Sequence, residues 1–125
     1  MADIITTVGK NAVAEMIGGL GSVTDWTYLA VGTGGDTAVA GDTELGTEIT
    51  DSGLARAAST VTTDDANIIQ LQHLWTASDT KGIEECGVSD LNTSADQVLL
   101  AHSDFNTITV SSDDTIQVTY KITVS

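Results

Sequence analysis

Cys86 and the two histidines, His73 and His102, are the side chains of this 125-residue sequence with the widest chemical reach. A thiolate nucleophile needs a base within hydrogen-bond reach of its sulfur. Cys86 instead sits among Glu84, Glu85 and Val88 in the run GIEECGVSD, and neighbouring carboxylates raise a thiol's pKa rather than lower it. The expectation is a small buried hydrophobe. His73 falls in line with Leu71 and Trp75 at period two, as a packed or interface residue, and His102 is expected on a strand surface. Neither histidine has the HExxH or HxH spacing of a zinc site.

Carboxylates supply the remaining chemistry. Asp36, Asp42, Glu44, Glu48 and Asp51 lie in DTAVAGDTELGTEITDSG and could hold Ca²⁺ or Mg²⁺ through oxygen ligands, although the DxDxDG spacing is missing. Asp64-Asp65 and Asp113-Asp114 fall in expected turns, where aspartate bonds its own backbone. The run VGTGGD lacks the lysine of GxxxxGK[ST] and the helix that follows GxGxxG, so no phosphate cradle is expected. Acid-base catalysis also needs a pocket and a partner group, and the sequence offers neither. The reading is a non-enzyme with no catalytic and no cofactor-binding residues.

The elements that would position these groups are mostly strands. Val8, Ala12, Val13, Met16, Ile17 and Leu20 recur at spacings of three to five, and Gly18-Gly19 follow as a stop, which predicts one helix over Thr7 to Ile17. From Asp25 onward the vocabulary turns to Thr, Val, Ile and Gly with period-two alternation. Strands are predicted at Trp26 to Val31, Leu54 to Thr62, Ile68 to Ala77, Gly82 to Ser89 and Val98 to Phe105, with 36 to 53 a long surface loop. In TIQVTYKITV, Ile116, Val118, Tyr120, Ile122 and Val124 share one face, so the closing strand has a core side and a solvent side. Strands at this density without alternating helices argue an all-β protein, an antiparallel β-sandwich of jelly-roll-like type with one N-terminal helix. It forms a single domain, 1 to 125, with a helical segment over 1 to 25 and the sandwich over 26 to 125.

Charge narrows the partners. With 18 acidic and 4 basic residues the formal net charge is -14, and the cations Lys10, Arg56, Lys81 and Lys121 are scattered singly. A nucleic-acid partner and an anionic membrane surface both require a basic patch, so neither is expected. No apolar run approaches a bilayer span, and the first residues lack the basic start and apolar stretch of a secretory signal. One cysteine permits no internal disulfide. Asp outnumbers Glu by more than two to one and Lys is scarce. Self-repulsion at this charge is screened in molar salt, where the Debye length is about 3 Å, and the composition reads as built for high salt.

Five segments taken in order are similar to the six elements of a known pattern. YLAVGTGGDTAVAGDTELGTEI, LARAAST, GIEECGVSD, VLLAHSDF and DTIQVTYKITV resemble the "IalGtG" strand, "dtaLgtE" loop, "R" strand, "itEaGlF" strand, "llar..f" strand and closing "dtltvtwtit" strand of small β-rich structural proteins of tailed viruses. The match runs from Tyr28 to Val124, with Ser89 standing where the family usually has an aromatic. The resemblance implies a virion protein without catalytic residues. It would be a homo-oligomeric subunit of a capsid-surface appendage or tail-associated structure, in contact with other virion proteins, and the acidity implies a halophilic, archaeal-type host. The alternative is a module on the same particle that binds a host-surface glycan, using Trp26, Trp75 and Tyr28. The resemblance also places Arg56 and Glu85 as a structural ion pair, since a guanidinium fork suits a bidentate carboxylate. The competing arrangement is Arg56 solvated among Glu44, Glu48 and Asp51.

Overall fold

The computed structural model describes residues 2–125. The first strand, β1 (Ala2–Ile5), leads into the helix α1 (Thr7–Ile17). Thr6 separates them as N-cap, its hydroxyl oxygen accepting from Gly9 N at 3.0 Å while its proton goes to the Leu99 carbonyl. Gly18 closes the helix, its N–H reaching the Glu15 carbonyl. The helix therefore has the predicted bounds, but β1 was not foreseen: four residues alternate too briefly to register. The helix docks through its small residues. Its buried residues are Gly9 and Ala12, while Val8, Val13, Ile17 and Leu20 of the apolar stripe are exposed. Close approach is the reason, since a Cβ on Gly9 would stand 2.8 Å from the Leu100 backbone.

The remaining strands are β2 (Tyr28–Gly32), β3 (Ala57–Ala58), β4 (Thr60–Asp65), β5 (Ile68–Thr76), β6 (Lys81–Ser89), β7 (Leu99–Val110) and β8 (Thr115–Thr123). They form two antiparallel sheets, a five-stranded one in the order β1-β7-β6-β2-β3 and a three-stranded one in the order β4-β5-β8. This is an all-β sandwich with one N-terminal helix. The single strand expected over Leu54 to Thr62 is in fact β3 and β4, because the chain changes sheets at Ser59, whose N–H and hydroxyl both donate to the Thr27 carbonyl. Leu29 and Val31 of β2, Leu71 and Trp75 of β5, and Ile83 and Val88 of β6 meet between the sheets. Burying one such side chain contributes about 1.5–3 kcal/mol.

β6 is the central strand of the large sheet and is buried along both faces. Cys86 and Val88 point to the inter-sheet core. Glu85 and Gly87 point the other way by strand alternation, toward the loop of residues 33–48, which lies over that face as a further layer. Leu45 and Ala38 of this loop are buried. At Gly87 an added Cβ would meet Leu45 and the Ala101 carbonyl, so the glycine admits both the loop and the neighbouring strand.

Candidate functional site

The most buried carboxylate of the described structure, Glu85, is 1% exposed. It is carried on the loop-facing side of β6, opposite Gly32 on β2 and Asp104 on β7. Its Oε2 accepts the N–H groups of Gly34 and Thr47, each at 2.8 Å, and its Oε1 accepts the N–H of Gly46 at 2.7 Å. His102 Nε2 lies 2.8 Å from the same Oε1. Four donors thus surround one carboxylate, and three of them are backbone groups from both ends of the covering loop.

The glycines make this approach feasible. A Cβ at Gly32 or Gly34 would fall against Glu85 Oε2, and at Gly34 it would also meet the Gly46 backbone. VGTGG and LGT therefore hold the two lips of a carboxylate clasp.

His102 carries the clasp one step further. It is 4% exposed, and its Nδ1 lies 2.7 Å from Asp42 Oδ2, which also accepts the Val39 N–H at 2.9 Å. An imidazolium in this position donates to a carboxylate on each side. The Glu85 hydrogen bond pushes the His102 pKa above its ordinary 6.5; burial works against the rise, and Asp42 adds to it. For Glu85, burial pushes the pKa up, but His102 and the three amides outweigh it and leave it below its ordinary 4.5. Below its ordinary 6.5 His102 is therefore an imidazolium, held between the carboxylates of Glu85 and Asp42.

Asp104, beside this chain on β7, uses its Oδ1 to accept the N–H groups of Ala2 and Ala38, each at 2.9 Å. That ties β1 and the covering loop to the same strand. The Ala38 amide is the main cause of a lowered Asp104 pKa. A recess of about 270 Å³ opens over the clasp, with Asp36, Glu44 and Thr43 among its lining residues and Glu85 and His102 at its base.

Several expectations are corrected here. Arg56 does not pair with Glu85. It forms a fork on Glu48, Nε to Oε2 at 3.1 Å and Nη2 to Oε1 at 2.6 Å, while its Nη1 donates to the Leu91 and Thr93 carbonyls. The Arg56 side chain is only 4% exposed, so the loop partner prevails, but in a buried fork and not a solvated one. β3, beside Arg56, lies at the edge of the large sheet, separated from β6 by β2. The Glu85 carboxylate is already filled by backbone amides and His102. His102 itself is buried and not a surface residue.

The five loop carboxylates are dispersed. Asp42 serves His102, Glu48 serves Arg56, and Asp51 meets Lys81 Nζ at 3.2 Å, while Asp36 and Glu44 are exposed. Among the described residues no group of three or more His, Cys, Asp or Glu side chains is placed to hold a metal ion. Cys86 is buried, and burial pushes its thiol up to about 12. His73 packs edge-on against Trp75 at 4.6 Å. Trp75 is withdrawn into the core with its indole N–H on the Ala55 carbonyl, and Trp26 donates to the Val98 carbonyl.

No protein-family model, no curated protein and no solved structure matches this chain.

Proposed function

We propose that the chain is a non-enzymatic virion component, an oligomeric subunit of a capsid-surface appendage or tail-associated structure of a tailed virus from a saline environment. The observation that carries this reading is the clasp. Segments of the resemblance supply its parts: Gly34 at the start of the covering loop, Gly46 and Thr47 at its end, Glu85 from β6 and His102 from β7. The residues that make the sequence look like such a protein are thus spent on holding a loop to a sheet. Glu85 accepts from four donors of its own chain, which leaves it saturated where a catalytic carboxylate would keep capacity for substrate.

The acidic surface favours partners met in high salt, namely further copies of the chain and other virion proteins. Nothing in the arrangement of Trp26, Trp75 and Tyr28 favours the glycan-binding alternative, since Trp75 is 3% exposed. The test is light scattering of the purified chain across a salt series. A stable oligomer that strengthens with salt is the expected result, and a monomer at every salt concentration overturns the appendage-subunit reading.

A further inference from the structure

We infer that β8 is the self-association edge of this protein, pairing antiparallel with β8 of a second copy about a twofold axis near Thr119. The inference deepens the subunit reading above and rests on it. It starts from an asymmetry among the sheet edges. β3 has two residues and β1 four, too short to template a long ladder. β4 reads TVTTDD, carries an irregularity between Thr63 and Asp65, and ends on two aspartates, devices that blunt an edge. β8 is nine residues long, keeps one register with β5 from end to end, and pairs on one side only among the described residues. It has no proline and no charge of the chain's dominant sign.

The direction of its backbone groups follows from the ladder. Val124 N donates to the Asn67 carbonyl and Ala77 N donates to the Asp114 carbonyl, both across the β5 side. Even-numbered residues of β8 therefore turn their N–H and C=O toward β5, and Thr115, Gln117, Thr119, Lys121 and Thr123 turn theirs outward. With Thr119 opposite Thr119 of the partner subunit, these five positions form hydrogen-bonded pairs, about ten hydrogen bonds in all. The register also keeps even residues opposite even ones, so that the apolar face continues from one copy into the next.

That face is unfinished in the single chain. Three recesses of about 290, 200 and 320 Å³ run along β8, between it and β1, β7 and α1. Phe105, Val118, Tyr120, Ile122, Ile5 and Leu100 line them, and the last recess adds Val13 and Val124, 39% and 73% exposed. Inward-facing Val118, Tyr120 and Ile122 of an added β8 would extend this apolar wall.

Charge selects a second copy as the occupant. A chain of net charge -14 repels itself wherever carboxylates meet, and a basic partner would be drawn to its acidic loops. β8 contains no Asp or Glu, and two of the four cations, Lys10 and Lys121, border its recesses. Asp64 of β4, in the same sheet, is taken up by Lys121 at 3.1 Å, and Asp3 is the aspartate that lines the groove. In the proposed register Gln117 lies opposite Lys121 of the partner subunit, with no like charges facing.

The experiment compares the full chain with Thr119→Pro and Thr119→Cys in molar salt. Thr119 N–H points away from β5, so proline there leaves the intrachain ladder intact and removes the central pair of the interface. Thr119→Pro is expected to reduce the particle to the monomer mass by light scattering with its unfolding still cooperative. Thr119→Cys under mild oxidation is expected to give a disulfide-linked dimer, because opposed residues place their Cα atoms about 5.5 Å apart. Thr62→Cys on the exposed face of β4 should not cross-link. If the wild type is oligomeric, unchanged mass in Thr119→Pro together with cross-linking no faster at 119 than at 62 overturns the edge assignment and leaves the subunit reading standing. A monomeric wild type at every salt concentration overturns both.

Discussion

Replacing Glu85 by glutamine tests the clasp with the least change of shape. In the native arrangement Oε2 takes the Gly34 and Thr47 amides and Oε1 takes the Gly46 amide and His102. Glutamine has one oxygen and one NH₂ in their place. Its best orientation keeps the oxygen on Gly34 and Thr47 and gives an N–H to His102 Nε2, provided His102 is neutral with its proton on Nδ1 facing Asp42. The Gly46 N–H is then left facing a donor, which costs about 1–3 kcal/mol. The surviving bonds fall from charge-assisted to neutral strength, about another 1–2 kcal/mol in total. A loss of about 4 kcal/mol is a large part of the roughly 5–15 kcal/mol that holds a domain together. For 125 residues, at about 2.1 cal/mol/K of unfolding entropy per residue, it lowers Tm by about 15 °C. Calorimetry near pH 6 in molar salt reads this directly, and NMR titration should show the His102 pKa dropping. A Tm shift below about 4 °C, or an unmoved His102 titration, would refute the four-donor account.

The His102 pKa is raised on folding, so its contribution is complete below about 6.5 and is lost as pH rises through the folded value. Glu85 is lowered, so its contribution holds above about 4.5 and is lost as pH falls through its folded value. Maximum stability from the clasp therefore lies between about pH 4.5 and 6.5, and denaturant midpoints should decline on the alkaline side in the wild type but not in His102→Gln. Arg56→Met strands the largely buried Glu48 and should cost about 3–5 kcal/mol. Adding Glu48→Gln should recover part of it in a double-mutant cycle, whereas adding Glu85→Gln should only sum. Cys86 should resist a thiol reagent in the native state and react at the rate of global unfolding, which a stopped assay with and without denaturant measures.

Period two and period 3.6 are what a sequence displays most openly, and the fold was legible to that extent. The helix bounds and the strands now numbered β5, β6 and β8 could be read because their apolar positions repeat several times within one element. β1 and the split between β3 and β4 could not, since each depends on a partner strand distant in the chain. The clasp was hidden for a different reason. Its donors are mainly backbone amides, which every residue owns, so Gly34, Gly46 and Thr47 carry no side-chain signal of their role. The visible hints were an acid in the middle of an otherwise buried strand and glycines on both sides of the loop. A lone arginine opposite such an acid was the simplest pairing, and it failed because Glu48 lies within the reach of Arg56 while Glu85 is enclosed by amides.

A chain with 18 acids and 4 cations has too few cations to pair most of its carboxylates, and several of them act as acceptors for peptide N–H groups. Glu85 takes three, Asp104 two, and Asp42, Asp90 and Asp114 one each, from Val39, Val98 and Ser111. Such a bond needs no countercharge, and it acts over less than 3 Å, at or below the screening length of molar salt. Salt therefore removes the long-range repulsion between these carboxylates while leaving their short-range bonds in place. The carboxylates that tie the covering loop and the first strand to the central sheet, Glu85 and Asp104, are buried, so their bonds are set apart from the repulsion between the exposed acids. Of the two edges long enough to template a ladder, β4 ends on two aspartates and β8 carries no acid, so the proposed self-pairing falls on the edge where two such chains oppose no carboxylates.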